Sequence, residues 1–390
     1  MSKYYSYLNT AKTILHQYQG DEPFSSFLKK FFSEQKKYGS GDRKAISHLC
    51  YCFFRLGKAL RSISIDEQIL TGLFLCSNTE NELLENLRPV WNQKAALPVK
   101  EKIKLLDNHF SFADIFAWAE ELSEGIEAKS FAFSHLFQPR LYVRMRPGFE
   151  DTVKKKLTDA AIQFEQINQS CLSLPNTTKI DSLLVANKEV VIQDLNSQKV
   201  AELFPVRLGR PGGVQVWDCC AGSGGKSILA FDLNPKIILA VSDARASIIQ
   251  NLKKRFERAG IKNYHSFVAD LTINKSQLHH LKPEIIIADV PCTGSGTWSR
   301  SPEQLYFFQK EKIKYYSQLQ QKILSNVVEN LSAGGHLVYS TCSVFKKENE
   351  DQVEFLQKEF GLELIKAELL KGYDIKADSL FAALLKKPTA

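Results

Sequence analysis

Two cysteines and one aspartate come just after apolar stretches that are long enough to form buried strands. The apolar run 285–288 ends on Asp289, and Cys292 follows after a proline. Cys342 occupies the matching place after a second apolar run, 335–341. Open α/β sheets bind their ligands at the carboxyl ends of the strands. We therefore expect one carboxylate and two thiols at the same edge of a sheet.

Such a set suits methylation of a pyrimidine ring at carbon 5. That carbon is a poor nucleophile, so a thiolate must first add to carbon 6 and convert the ring into an enamine. The proton on carbon 5 must then leave, and the thiol must be expelled. One cysteine as nucleophile, a second that assists release and an aspartate on the ring edge would explain Cys292, Cys342 and Asp289 together. The alternative is that both cysteines are ordinary buried thiols.

A glycine-rich turn follows a strand predicted at 214–219. A phosphate-binding loop requires glycine where Cys220 stands, and a dinucleotide fold requires glycine where Ser227 stands. Asp243 comes 19 residues after Gly224, near the spacing at which a carboxylate receives ribose hydroxyls. S-adenosylmethionine fits, because it has no phosphate chain and its sulfonium tolerates nearby carboxylates. The turn comprises Cys220, Ala221, Gly222, Ser223, Gly224, Gly225 and Lys226.

Strands and helices alternate regularly from residue 213 onward. This alternation predicts a mainly parallel sheet with helices on both faces. A long helix is predicted over 303–331, and the stretches 361–368 and 379–386 are predicted to form a final strand pair. The acidic residues predicted to crowd one edge of the sheet, each at a strand end, are Asp218, Asp243, Asp270 and Asp289.

The first 130 residues follow a helical pattern, with helices predicted at 64–76, 79–87 and 111–122 and with Asp42 as the cap of another. A bundle of this kind has either a purely structural role or an RNA-facing one.

The pattern changes between residues 138 and 204. Strands are predicted at 141–146 and 189–193 around a helix at 150–162, as in a compact α+β module. One strand face would carry three arginines and would be either solvated or phosphate-binding. These are Arg140, Arg144 and Arg146.

Composition limits the possible classes of protein. A chain of 390 residues is too long for a single typical hydrophobic core, so more than one domain is expected. The formal charge of +8 favours a polyanionic partner, although an excess of positive charge spread over the whole surface would indicate no particular partner. The sequence shows no signal-peptide or membrane-spanning stretch, so a cytoplasmic protein without membrane contact is expected. Its eight cysteines are then thiols. Cys50, Cys52 and Cys76 are expected in the core, and the cysteine spacing predicts no metal site.

Several ordered motifs resemble those of the RsmB/Sun family of RNA cytosine-C5 methyltransferases. Upstream, 38–43 is similar to the helical, NusB-like RNA-binding domain of that family, and 192–197 is similar to its lead-in to the catalytic domain. Nearly the whole chain is covered by the resemblance. The catalytic motifs are Asp218-x-Cys220-Ala-Gly-Ser-Gly-Gly-Lys226, Asp289-x-Pro291-Cys292-Thr-Gly-Ser-Gly296 and Ser340-Thr-Cys342-Ser, followed by Glu348-Asn349-Glu350.

The resemblance implies a Rossmann-like, S-adenosylmethionine-dependent methyltransferase sheet with a reversed last strand, in an α/β chain. An all-helical NusB-like RNA-binding domain (1–130) and a small α+β RNA-recognition-like subdomain (131–205) would precede the catalytic domain (206–390). The reaction would be methylation of carbon 5 of a cytosine in RNA, with ribosomal RNA favoured and tRNA possible. A monomer is expected.

The resemblance also assigns roles to residues. Cys342 would be the nucleophile and Cys292 the cysteine that helps release the product. The turn 220–226 would hold the cofactor, and the carboxylates of Asp243, Asp270 and Asp289 would complete the pocket.

One departure lies in the turn 220–226, where Gly222-Ser223 replaces the usual Ala-Pro of the family.

Two rival functions stay open. One is a DNA-type mechanism in which the cysteine after proline attacks. The other is a non-catalytic RNA-binding assembly factor that keeps the same fold.

Overall fold

The computed structural model describes residues 3–106, 110–205, 213–273 and 282–389. The helices are α1 Lys3–Gln17, α2 Phe24–Glu34, α3 Ser40–Phe54, α4 Ile65–Cys76, α5 Glu82–Leu87, α6 Pro89–Asn92, α7 Val99–Ile103, α8 Phe112–Ile115, α9 Ala128–Ser134, α10 Glu150–Asp159, α11 Leu195–Lys199, α12 Gly225–Leu233, α13 Ala246–Ala259, α14 Pro302–Phe307, α15 Glu311–Val328 and α16 Glu350–Phe360. The strands are β1 Leu141–Met145, β2 Glu165–Gln166, β3 Cys171–Leu174, β4 Val190–Ile192, β5 Gln215–Asp218, β6 Ile238–Asp243, β7 Tyr264–Val268, β8 Ile285–Asp289, β9 His336–Thr341, β10 Glu363–Leu370 and β11 Leu380–Lys386.

The chain divides into two compact units. The first comprises Met1–Glu120, Glu127–Gln138 and Thr297–Lys310, and the second comprises Glu121–Ile126, Pro139–Gly296 and Glu311–Ala390. The predicted domains 1–130, 131–205 and 206–390 are consecutive in sequence. The two observed units are not, because residues 297–310 belong to the helical unit.

The first unit is helical. Helix α2 buries Phe24, Leu28 and Phe32, which lie four residues apart on one face of the helix. Asp42 does not cap α3 from the N-cap position, because Gly39 is the N-cap. The Asp42 carboxylate instead accepts the backbone N–H of Gly39 at 2.8 Å.

None of the helices in the described ranges combines the length and apolar character that a bilayer crossing requires.

Two predicted helices are interrupted. The stretch 111–122 forms only α8 and a 3-10 turn at Ala119–Glu121, and the stretch 303–331 divides into α14 and α15. At the second break Phe308 adopts an extended backbone, and its ring packs on Trp118 and Trp298 with centroids 4.8 and 4.6 Å apart. Burial of this aromatic ring outweighs the local preference for helix.

The second unit contains a small sheet in the order β2-β3-β1-β4, with every described pairing antiparallel. Strands β1 and β4 confirm the α+β module, whereas β2 and β3 were not predicted. Both interpretations of the arginine face are wrong for Arg144 and Arg146. Their guanidiniums are buried and reach Asp232 of α12 at 2.5 and 2.6 Å. The expected phosphate or solvent is replaced by a carboxylate, which pairs with both buried guanidiniums.

The second sheet has seven strands in the order β10-β11-β9-β8-β5-β6-β7. Strands β9, β8, β5, β6 and β7 are parallel, and β11 runs antiparallel to both of its neighbours. This confirms the Rossmann-like sheet with a reversed last strand. Residues 285–288 of β8 are buried almost completely, as a central strand covered on both faces requires. The carboxyl ends of the parallel strands therefore meet at one edge.

Candidate active site

The sheet register brings the predicted aspartate and the second cysteine together. Strands β8 and β9 are adjacent and parallel, and Asp289 pairs with Ser340 across the ladder. The Ser340 hydroxyl donates to Asp289 Oδ1 at 2.9 Å. Cys342 follows directly after β9, whereas Cys292 follows β8 after Pro291.

The two thiols lie against each other. The distance between Cys292 Sγ and Cys342 Sγ is 3.3 Å, and both cysteines are free and half-buried. The sulfur contact with Cys342 and burial, with the Glu348 carboxylate nearby, hold the pKa of the Cys292 thiol well above its ordinary value. At this separation either thiol can donate a proton to the other sulfur.

Gly296 joins the two cysteine loops, which are the segment after β8 that contains Cys292 and the segment after β9 that contains Cys342. The N–H of Gly296 donates to the carbonyl of Cys342 at 2.9 Å, and its carbonyl accepts the N–H of Ser379 at 3.0 Å. A Cβ at position 296 would stand 1.9 Å from the Ser379 carbonyl oxygen, so a larger residue would force the loops apart. The close approach of backbone explains glycine at this position.

A buried carboxylate joins the residues that follow the two cysteines. Glu348 is fully buried and accepts the Thr293 N–H at 2.8 Å and the Thr293 hydroxyl at 2.6 Å. It also accepts the Ser343 hydroxyl. Thr293 follows Cys292 and Ser343 follows Cys342, so one side chain fixes the positions of both loops. Burial raises the pKa of Glu348 to about 7, although the hydrogen bonds from Ser343 and Thr293 lower it.

We expect Glu348 to make the stability of the chain depend on pH. Its pKa rises from 4.5 to about 7 on folding, so the folded chain binds more protons and the free energy of unfolding falls as the pH rises across this range. Glu348→Gln resembles the neutral acid and removes this titration. The native free energy of unfolding, relative to that of the Gln variant, should fall by up to about 3 kcal/mol between pH 4.5 and 8. Denaturant titrations that give a constant difference would contradict this assignment.

Asp289 is a partly exposed carboxylate beside the two thiols. Lys226 Nζ lies 2.5 Å from Asp289 Oδ2, and the Asp289 side chain is 38% exposed. Lys226 was predicted as part of the cofactor turn, and the structure directs its ammonium group to Asp289. The ion pair and the Ser340 hydroxyl fix the carboxylate beside the thiols, so it can receive hydrogen bonds from a ligand without reorienting.

The glycine loop, residues 220–226, leads from β5 into α12. Gly222 and Gly224 have φ of +52° and +83°, values that few other residues adopt. A Cβ at Gly224 would stand 2.6 Å from the Phe256 ring, whereas at Gly222 no atom of the described residues lies within 4 Å. The backbone at Gly222 is therefore open to a ligand on the side where a side chain would stand.

Asp243 closes the other side of this loop at the end of β6. Its carboxylate accepts the Gly222 N–H at 3.2 Å and is held by the guanidinium of Arg245 at 2.9 and 3.1 Å. Burial alone would raise the pKa of Asp243, but the hydrogen bonds from Arg245 and Gly222 outweigh it and lower the pKa. A buried anion thus faces the loop, and its main partner, the Arg245 side chain, is 66% exposed.

The other two predicted strand-end carboxylates differ in burial. Asp218 is fully buried under the sheet edge, where it accepts the Ser227 hydroxyl at 2.6 Å and where burial raises its pKa to about 7. It therefore supports the start of α12 and does not join an open rim. Asp270 lies at the edge but is exposed, and its carboxylate accepts both the N–H and the hydroxyl of Thr272.

Sequence reasoning missed several residues of this region. Glu348 and Ser343 appear in the motifs but were given no role, and Thr293 was likewise only part of a motif. Arg255, which contacts the glycine loop, lies on α13 with no motif around it. In the sequence, the one sign of this network is that a polar residue follows each cysteine directly, Thr293 after Cys292 and Ser343 after Cys342.

Comparison with known proteins finds relatives of the second half of the chain. A family described as 16S rRNA methyltransferase RsmB/F matches residues 210–384. Ribosomal RNA small subunit methyltransferase B of Xanthomonas campestris is 29% identical over 175 residues, which are 44% of this chain and 39% of that protein. The protein of the same name from Salmonella newport is 33% identical over 174 residues, or 43% and 38% of the two chains. The chain thus matches well under half the length of these relatives.

A solved structure extends the likeness of fold to nearly the whole chain. The crystal structure of PH0851 superposes with a TM-score of 0.69 over 94% of this chain and 95% of that one, at 18% identity. At this identity the match establishes a shared fold.

Proposed function

We propose that residues 210–384, which match the family described as 16S rRNA methyltransferase RsmB/F, form a domain that methylates carbon 5 of a cytosine in RNA, with S-adenosylmethionine as the methyl donor. The observation that carries the proposal is the thiol pair at 3.3 Å beside the half-exposed carboxylate of Asp289. Carbon-5 chemistry needs a nucleophilic sulfur, a group that assists its release and a fixed polar group on the ring edge. Ribosomal RNA is the favoured substrate because the family description names it.

The glycine loop and the acidic edge fit this cofactor. The open backbone at Gly222 admits a nucleoside, and Asp243 is placed to accept the ribose hydroxyls once Arg245 turns away. When bound, the cofactor supplies an electrophilic methyl group beside a rim of carboxylates. We assign the loop residues 220–226 and Asp243 to cofactor binding. We assign Asp270 to the same pocket, because both hydrogen bonds from Thr272 go to its Oδ1 and Oδ2 can accept from the cofactor.

Three side chains of this chain would carry the reaction. The Cys342 thiol gives its proton to solvent, and the thiolate bonds to carbon 6 of the cytosine as the double bond between carbons 5 and 6 opens, while Asp289 hydrogen-bonds the ring edge and stabilises the adduct. Carbon 5 would then take the methyl group and afterwards lose its proton to a water molecule. As the ring electrons return, the bond from Cys342 to carbon 6 breaks, and the thiol of Cys292 gives its proton to the departing sulfur 3.3 Å away.

The division of roles between the thiols follows the motif Ser340-Thr-Cys342-Ser, which resembles that of the RsmB/Sun family, and the DNA-type mechanism would reverse it. The target base must leave its stack to reach the strand ends, and an unpaired loop nucleotide does so at least cost. We therefore propose a single-stranded segment of RNA as the substrate.

We expect Asp243→Ala to weaken cofactor binding by about 2 kcal/mol, on the order of 30-fold, because the ribose loses charge-assisted hydrogen bonds. Arg245→Ala provides a matched control: it keeps the carboxylate and removes its competing partner, so binding should be unchanged or tighter. Calorimetry with S-adenosylhomocysteine measures both. Equal affinity of the native chain and Asp243→Ala would remove Asp243 from the site.

Transfer of a tritiated methyl group from S-adenosylmethionine tests the function directly. The full chain should label ribosomal RNA, and digestion of the labelled RNA should release 5-methylcytosine. Labelling of tRNA alone would change the substrate, and labelling at another position of the base would contradict the chemistry. A chain that binds RNA and transfers no methyl group to any RNA would be an assembly factor instead.

A further inference from the structure

The glycine loop is held from outside by an arginine that the proposed chemistry does not use. Arg255 lies on α13 and its Nη1 donates to the carbonyl oxygen of Ser223 at 2.7 Å and to the Ser223 hydroxyl at 2.5 Å. Its Nε donates to Asn187 Oδ1 at 2.9 Å. One guanidinium therefore joins the loop to the segment that precedes β4 in the small sheet.

The second anchor of Arg255 is itself fixed. Asn187 has a φ of +68°, its N–H donates to the carbonyl of Val190 at 2.7 Å, and its own carbonyl accepts Nη1 of Arg146 at 3.0 Å. Arg146 in turn is paired with Asp232 on α12, the helix that begins at the glycine loop. The contacts of Arg255 thus reach a rigid part of the second unit.

The loop needs such support because of its composition. Residues 220–226 contain three glycines and no proline, and glycine loses the most conformational freedom when it is ordered. Two of the three, Gly222 and Gly224, are at positive φ, and the side chain of Ser223 between them is half of the contact with Arg255. A loop that is already ordered binds its ligand without that loss of entropy.

We propose that Arg255 is a positioning residue that orders the glycine loop for the cofactor by clamping Ser223 onto the small α+β sheet. The inference rests on the proposed function, in which this loop holds S-adenosylmethionine. Arg255 touches neither the cofactor nor the reacting atoms in this scheme. It acts through the backbone of Ser223, and the Ser223 side chain is required only for one of the two hydrogen bonds.

Calorimetry of the full chain with S-adenosylhomocysteine tests the clamp. We expect Arg255→Gln to bind about tenfold more weakly, since two hydrogen bonds to the loop are lost. Ser223→Ala should weaken binding about two- to threefold, because the carbonyl still accepts from Arg255, and it should add nothing in the Arg255→Gln background. Arg258→Gln, an exposed arginine on the same helix, is the matched control and should bind as the native chain does.

Hydrogen exchange separates positioning from general loss of stability. In Arg255→Gln the amides of residues 221–225 should exchange faster, while those of β6 and β8 exchange at the native rate. Native affinity in Arg255→Gln, or equal acceleration in the loop and in both strands, would overturn the inference. If the native chain itself binds no S-adenosylhomocysteine, the proposed function fails instead, so the two failures are distinguishable.

Discussion

Cys342→Ala should reduce methyl transfer to background, a loss of at least about 1,000-fold. Without the sulfur no bond forms to carbon 6, the ring keeps its aromatic electrons, and carbon 5 stays too weak a nucleophile to take the methyl group. Cofactor affinity should be unchanged, because the glycine loop and Asp243 lie on other strands. Tritium transfer to RNA and calorimetry on the same preparation measure the two quantities.

Cys76→Ala is the matched control for this experiment. Cys76 is a half-buried free thiol in the first unit, and its loss should change methyl transfer by no more than about twofold. Substantial transfer by Cys342→Ala would show that another group attacks the base.

Cys292→Ala should have a different and equally large effect. The nucleophile is intact, so the variant attacks and methylates the base, but the departing sulfur of Cys342 lacks the proton donor 3.3 Å away. Protein joined to RNA should accumulate, with at most one turnover per molecule. A band shifted by the mass of the RNA on a denaturing gel is the readout, and the native chain under the same conditions is the control.

The two variants together decide between the rival mechanisms. A shifted band from Cys342→Ala and none from Cys292→Ala would make Cys292 the nucleophile, as in the DNA-type reaction. Full activity without a band in both would exclude a thiol nucleophile altogether.

The sequence predicted the positions of the candidate site residues where strand order alone fixes them. The carboxyl ends of parallel strands share one edge, so the apolar runs before Asp289 and Cys342 were enough to bring them together, and the structure confirms this. The same rule predicted the place of Asp243, but not that Arg245 covers it. Strand order says nothing of Asp218, whose depth below the edge depends on α12 packing over it.

Contacts between distant segments could not be predicted. Arg144 and Arg146 lie on one strand face as expected, but their partner Asp232 is 88 and 86 positions away and no local pattern marks it. Glu348 is 55 positions from Thr293, and its role follows only from the fold of both cysteine loops. The helix break at Phe308 similarly depends on rings from remote parts of the first unit.

Mapping the covalent adduct on RNA that contains 5-fluorocytosine tests the central proposal most directly. Fluorine on carbon 5 cannot leave as a proton does, so the methylated ring stays bound to the attacking sulfur. After digestion, mass spectrometry should find the methylated fluorinated nucleotide on the peptide that contains Cys342 and not on the peptide that contains Cys292. A nucleotide on Cys292, or no adduct from a chain that methylates the unfluorinated RNA, would contradict the proposed mechanism.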